Sequence, residues 1–512
     1  VSTDLNSTNE TAGDRRIYLE AMVDYNRTFG RHDVNAMLLY NQDELVNNVP
    51  GNNLINSLPK RKQGLAGRLS YAYDGKYMAE VNMGYNGSEN FAKGHRWGFF
   101  PSIALGYNIS EESFFEPLRK VITSMKLRGS WGLVGNDQIG GERFIYMPTI
   151  NLSGKGFTTG IDQNYGLSGP VYTRYENNSI TWEVGEKINL GIDLQLLNSL
   201  NIVVDIFRET RRDIFQKKGT IPTYLGTGNT DVFGNLAEMK NQGLDLSIDY
   251  NKAFSKDFYM NFKGTFTYAH NEITKYDEAP KYAFQSKVGQ SANVSQGYLS
   301  NGLFLDEAEI DRYNQQMGST LGAGDIKYLN VSNMHGYGDD IVDVDDWTWI
   351  GNPTVPEIVY GFGPSFKYKN WDFSFFFQGV AKTSLFMSGF HPFGDNSLRN
   401  VLQFVANDRW SPTNQNVDAK YPRLTRKTSL NNTNPGNSGR TSDYWMRDGS
   451  FLKLKNMELG YTFKRMRFYI SGSNLLTFSK FDLWDPEQGG GSGLKYPTQR
   501  VFNVGFQMTF NN

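Results

Sequence analysis

The sequence predicts an all-β chain, a transmembrane antiparallel β-barrel. Three observations predict it. Apolar residues alternate with polar ones from end to end. Aromatics make up 14% of a chain whose mean hydropathy is only −0.52. Connections alternate between very short and very long.

The alternation comes first along the chain. Ile17, Leu19, Ala21, Val23 and Tyr25 share one face, with Glu20, Asp24 and Asn26 opposite. Val34, Ala36, Leu38 and Tyr40 repeat the pattern against Asp33, Asn35 and Asn41. Leu65, Leu69, Tyr71 and Tyr73 lead into Asp74-Gly75, a type I′ hairpin signal, and Tyr77, Ala79, Val81, Met83 and Tyr85 return. Ile188 to Leu196 alternate with Asn189, Gly191, Asp193 and Gln195 before a turn at Asn198-Ser199. Phe258, Met260, Phe262, Phe266 and Tyr268 form a further face. Tyr360, Phe362, Phe366 and Tyr368 run to Lys369-Asn370, then Trp371, Phe373, Phe375 and Phe377 follow. The last strand sets Phe502, Val504, Phe506, Met508 and Phe510 against Asn503, Gln507 and Thr509. About 15 such segments have spanning length, since a membrane strand needs only about 9–11 residues.

The connections sort into two classes. Phe29–Arg31, Asp74-Gly75, Asn198-Ser199, Lys369-Asn370 and Lys464–Arg467 are short; 43–63, 134–184, 271–354 and 383–447 are long. Short turns on one side of a membrane and long loops on the other produce this asymmetry. A soluble propeller or sandwich also alternates, but no repeat of 40–50 residues is present. About 15 is odd, whereas bacterial barrels usually have an even count. The chain also starts at Val1, without Met or a signal peptide. The expectation is therefore the C-terminal portion of a barrel of about 22 strands, with the plug absent from this chain.

Composition excludes several functions. Lys+Arg number 52 and Asp+Glu 53, giving a net charge of −1 and no reason to expect nucleic acid. There is no cysteine, so thiolate metal sites are excluded. His32, His95, His270, His335 and His391 are scattered and form no H-E-x-x-H. No recognisable carboxylate pair suggests a glycan hydrolase. The chain is read as a non-enzyme.

An ordered series of motifs resembles the SusC-like (SusC/RagA) family of TonB-dependent outer-membrane transporters. It begins with Gly94-His95-Arg96-Trp97-Gly98-Phe99-Phe100-Pro101-Ser102. Leu127-Arg128-Gly129-Ser130-Trp131-Gly132 and Gly135-Asn136-Asp137-Gln138-Ile139 follow. Then come Thr181-Trp182-Glu183 with Lys187, Asn189-Leu190-Gly191 and Asp193, and next Asn235, Met239, Asn241 and Gly243. Asp408-Arg409-Trp410-Ser411-Pro412, Ser450 to Asn456, Gly472, Asn474-Leu475-Leu476-Thr477 and Asp485-Pro486-Glu487 complete it. Most of these positions read as turn-shaping and girdle residues.

The resemblance implies active import across the outer membrane, with the aromatic belt against membrane lipid. It also implies a SusD-like surface lipoprotein, energy from the TonB complex through the missing N-terminal part, and an oligosaccharide or peptide substrate. A passive porin or adhesive barrel is the alternative. The family often carries a calcium-type loop where this sequence has Asp339, Asp340, Asp343 and Asp345. Here Asn333-Met334-His335-Gly336 replaces the tight core, and Asp340 stands where Gly is usual. A structural calcium and a solvated acidic loop both stay open. Tyr165, Tyr172, Tyr175, Trp347 and Trp349 in the long loops, and Tyr224 in a shorter stretch, are the ligand-contact candidates. Stacking on sugars and packing against a lid both suit them.

Overall fold

The structure, a computed structural model, describes residues 13–47, 55, 58–139, 143–222, 224, 230–313, 315–316, 320–390, 393, 400–427, 429, 431–432 and 441–510. Val1, His391, parts of the long connections and the terminal asparagines lie outside the described residues.

Fifteen antiparallel strands lie in one sheet in chain order. They are β1 (Asp14–Phe29), β2 (His32–Asn47), β3 (Lys60–Tyr73), β4 (Tyr77–Ser88), β5 (Trp97–Asn108), β6 (Ile122–Asn136), β7 (Glu183–Leu196) and β8 (Leu200–Lys217). β9 (Phe233–Ala253), β10 (Phe258–Lys275), β11 (Ile358–Tyr368), β12 (Trp371–Ala381), β13 (Phe451–Phe463), β14 (Met466–Ser479) and β15 (Val501–Met508) follow. No helix among the described residues is long and apolar enough to cross a membrane, which says nothing of strands.

The turns follow from their residues. Asp74 and Gly75 have φ of 54° and 65°, the two left-handed positions a type I′ turn requires. Leu197 and Asn198 do the same at 51° and 53°. Register then puts like faces together. Val23 opposes Leu38, Leu38 opposes Gly67, and Leu69 opposes both Ala36 and Val81. On the other face, Asn26 opposes Asn35 and Ser70 opposes Glu80.

The apolar face is open. Val23 is 71% exposed, Leu190 63% and Phe502 74%. Apolar surface this continuous fits lipid and not water. Aromatic pairs bound it: Tyr77 stacks on Tyr107 at 5.1 Å, and Tyr85 on Trp97 at 4.8 Å. At about 3.4 Å per residue, Tyr77 and Tyr85 stand ~27 Å apart along β4. A strand tilt of ~40° makes this band ~21 Å tall, close to the hydrocarbon thickness such barrels cover.

Several strands run further than alternation indicates. β2 continues to Asn47 because Asp43 and Glu44 have cross-strand cations: Arg16 Nε lies 2.7 Å from Asp43, and Arg61 Nε lies 2.7 Å from Glu44. The first long connection is thus 48–59. The second contains its own hairpin, Thr149–Thr159 with Tyr165–Arg174. The third spans 276–357, the fourth 382–450, and a further one, not singled out from sequence, spans 480–500. The last strand stops at Met508, and Phe510 beyond it is 79% exposed.

The chain divides into two compact units. One comprises Val1–Leu197, Asp205–Gln242 and Ile273–Ala279; the other comprises Asn198–Val204, Gly243–Glu272 and Pro280–Asn512. The first unit buries a small core of Phe91, Ile139, Ile145, Ile180 and Trp182. The second buries a larger one, with Tyr298, Tyr328, Trp410, Tyr421 and Trp445 among its members. Both cores are built mainly from the connections.

Candidate functional site

The aromatic candidates do not converge. In the first unit, Tyr172 and Tyr175 stack at 5.5 Å, while Tyr165 is 64% exposed at the hairpin end. Tyr224 is also exposed and most of its sequence neighbours lie outside the described residues. In the second unit, Trp347 packs edge-on against Tyr298 at 6.0 Å, and Trp349 donates its indole N–H to the Ser286 carbonyl at 2.8 Å. Both tryptophans therefore brace the loop core. One aromatic group escaped the sequence reading: Tyr282, Phe284 and His335 stack in near-parallel planes, with Tyr337 4.2 Å from Tyr282. Its members come from distant loop segments without periodicity, so no sequence signal links them.

The acidic candidates are each engaged separately. Asp339 accepts from Asn330 Nδ2 at 3.1 Å and Ser332 Oγ at 3.3 Å. Asp343 caps a single 3₁₀ turn, accepting from Asp345 N at 2.8 Å, and Asp345 pairs with Lys281. Asp340 is exposed. The buried carboxylate is Asp346, which accepts from Ser332 N at 2.9 Å and Asp343 N at 2.8 Å. Burial pushes its pKa up from the ordinary value, and the two backbone donors pull against it. Among the described residues no group of three or more His, Asp or Glu is placed to hold a metal. Asp339 faces two side-chain donors, Asp343 and Asp346 backbone N–H groups, and Asp345 Lys281, so these oxygens do not converge on one point as those of a calcium loop do.

The motif residues mostly hold the scaffold. Trp182 donates to the Arg96 carbonyl at 3.2 Å, and Arg96 donates to the Phe91 carbonyl at 3.2 Å. Asn235 bridges Thr181 N, Thr181 O and Asp213 O with one amide. Glu183 accepts from Phe215 N and Asn136 Nδ2 at 3.1 and 2.9 Å. These bonds satisfy chain segments where strands give way to loops.

Two arginines organise the polar face. Arg128 lies flat over Gly191 on the neighbouring strand and reaches Asp205 two strands away, both bonds being 2.7 Å. It also meets Asp193 at 3.0 Å. A Cβ at Gly191 would lie 2.7 Å from the guanidinium carbon, so only glycine leaves the passage open. Arg467 repeats the device across Gly460 to Asp372 at 3.1 Å, with Glu458 at 2.6 Å.

Three motifs meet in one place in the second unit. Lys453 opposes Gln378 on the polar face of β13. A bulge between Leu454 and Asn456 leaves Lys455 without a register partner on either neighbouring strand. Such an insertion re-aims a side chain. Both ammonium groups thereby reach Glu487: Lys453 at 2.7 Å and Lys455 at 2.6 Å. Lys453, only 1% exposed, also pairs with Asp485. Burial works against both carboxylates, yet the Lys453 hydrogen bond, with help from the Glu487 amide at Asp485 and from Lys455 at Glu487, holds both below their ordinary values. The node ties the 480–500 connection to the wall at the end of the strands where the long connections lie.

Comparison with known proteins agrees with this arrangement. Residues 1–475 match the family described as TonB dependent receptor-like, beta-barrel. The TonB-dependent receptor P3 of Formosa agariphila is 26% identical over 481 residues, covering 87% of this chain and 45% of that protein. The TonB-dependent receptor SusC of Bacteroides thetaiotaomicron is 28% identical over 471 residues, covering 87% and 43%. The chain spans about half the length of the curated relatives it matches. A solved structure of the RagAB peptide transporter superposes with a TM-score of 0.70 at 20% identity, over 97% of this chain and 56% of that one, a likeness of fold. The chain belongs to the TonB-dependent receptor β-barrel family, whose SusC-like branch it resembles, and is an outer-membrane β-barrel protein.

Proposed function

We propose that the chain is the barrel part of an active outer-membrane importer. It takes up oligosaccharides or peptides, works with a SusD-like surface lipoprotein and draws energy from TonB. The observation that carries the reading is the family match over residues 1–475, seated on a sheet with one lipid-suited face and loops folded into cores of their own. The relatives' names support it: one is SusC, and one of the similar solved structures is the RagAB peptide transporter. The reaction is translocation, and no residue is assigned a catalytic role.

The test is uptake by cells that carry or lack the full-length gene. Fluorescent malto-oligosaccharides and oligopeptides are supplied with and without a protonophore. Saturable uptake that requires the gene and stops with the protonophore is expected. Uptake that continues unchanged after the proton gradient collapses would mean a passive pore and overturn the reading.

A further inference from the structure

On the lipid-suited face of the first unit, beside the Tyr85–Trp97 pair, lies a cleft of about 670 Å³. Ile17, Gln42, Glu44, Arg61, Gln63 and Trp97 line it among others. We propose that this cleft docks an outer-leaflet lipid whose saccharide headgroup carries phosphate.

Position carries the first part of the argument. Glu44 opposes Ile17 on one side and Arg61 on the other, and Gln42 opposes Leu19 and Gln63. Gln63 opposes Gly87, which opposes Trp97. Opposed residues share a face, so these rows continue the face that carries Val23 and Leu38. The Glu44 row stands two residues beyond the Gln42 row, about 7 Å along the strand. A hydrocarbon core of about 30 Å grows to about 40–45 Å with its headgroups, so a polar row at this distance past the aromatic girdle stands among headgroups. From here β2 runs into the long connection 48–59, the external side of such a barrel.

Charge carries the second part. Glu44 is shared by two guanidinium groups, Arg61 at 2.7 Å and Arg15 at 3.6 Å. Glu89, also at the cleft, pairs with Arg143. Arg96 donates Nε to the Phe91 carbonyl and makes no ion pair among the described residues. Four guanidinium groups thus stand against two carboxylates. Asp43 points to the opposite face, where Arg16 answers it at 2.7 Å, and Lys62 turns the same way to Asp137 at 2.8 Å. A guanidinium surplus presents forked donors that match phosphate oxygens.

The lining carries the third part. Gln42 accepts from Tyr40 Oη at 3.0 Å, and Gln63 makes no side-chain hydrogen bond among the described residues. Carboxamides in one row suit sugar hydroxyls. Ile17 and Trp97 add apolar surface, which acyl chains would cover and a free phosphate would not need. The wall is fixed in advance. Phe144 has φ of 50°, a left-handed conformation that a bulky residue rarely adopts. Arg143 lies over its ring at 4.7 Å and donates to the carbonyls of Ile55, Leu58 and Pro59 at 2.8, 2.6 and 2.8 Å.

This assignment does not depend on what the barrel imports. The test is native mass spectrometry of the full-length protein in mild detergent. It is titrated with a synthetic acylated glucosamine disaccharide bearing two phosphates, with the same lipid lacking them, and with inorganic phosphate. The phosphorylated lipid is expected to bind at least about tenfold more tightly than the bare one. Arg61→Gln combined with Arg96→Gln should remove about that factor. Arg16→Gln takes the same charge from the opposite face and should leave binding within about twofold. Equal binding of the two lipids to the unaltered protein overturns the proposal, and that comparison requires no variant to fold. So does an equal loss in Arg16→Gln, which would mean diffuse charge. Inorganic phosphate bound as tightly as the lipid would mean a free-anion site and overturns it too.

Discussion

The two units build similar strands and differ in their connections. In the first, loops bury a compact group around Trp182 and Phe91, and a two-stranded hairpin stands outside it with Leu152 78% and Phe157 74% exposed. In the second, three long connections combine into a core of fully buried rings, where Trp445 packs against Phe390 and Phe393. An isolated hairpin is marginal in water, whereas loops that share a core become rigid. The difference teaches that a membrane strand fold leaves stability to be decided loop by loop.

Removing the largest buried ring should break the second core and not the first. Trp445→Ala should cost about 3–5 kcal/mol locally. Hydrogen exchange should rise in 382–450 while 89–96 and 175–182 stay protected. Uniform protection in the variant would mean the core does not hold those loops.

Lys453→Met keeps the stem and removes the charge. It leaves Asp485 without its ammonium partner while Glu487 keeps Lys455, an expected cost of about 3 kcal/mol, at the low end for a broken buried pair because Asp485 is 18% exposed. Limited proteolysis should cut 480–500 first, and an uncut variant would show that the node is not the latch.

In the first unit the comparable change is smaller. Trp182→Phe retains the ring contacts and loses only the bond to the Arg96 carbonyl, about 1 kcal/mol. A loss as large as that for Trp445→Ala would erase the contrast between the units.

Acid gives the smallest effect over the ordinary range. Asp485 and Glu487 titrate below their ordinary values, so their stabilisation is fully present above those values and lost as pH falls through the lowered ones. Protease resistance of 480–500 should stay flat from neutrality down to about pH 5 and fall only below about pH 4. Release near pH 6 would contradict the direction of both shifts.

The strands were legible because period-2 alternation is local and lipid demands it on one face. Their ends were less so: Asp43 and Glu44 look like loop residues until Arg16 and Arg61 are placed beside them. The Lys453 node was half legible. Its lysines and carboxylates stood in motifs singled out from sequence, but their meeting depends on a bulge and on a connection between strands. The loop cores left no periodic trace, because irregular chain buries side chains at no fixed spacing. For the same reason the tyrosine and tryptophan candidates read as one class, although they lie in different units.

The two arginines of the polar face have an electrical consequence. Each answers two carboxylates with one guanidinium: Arg128 meets Asp193 and Asp205, and Arg467 meets Asp372 and Glu458. Lys126 opposes Asp193 in register and Lys367 opposes Asp372, so each group sets two cations against two carboxylates on the side away from lipid. Fixed charge of one sign raises the local concentration of mobile ions of the other sign within a Debye length, about 8 Å at physiological salt. With the two signs matched inside each group, neither group by itself would select potassium over chloride, and dilution of the bathing salt would not bring out a preference from them.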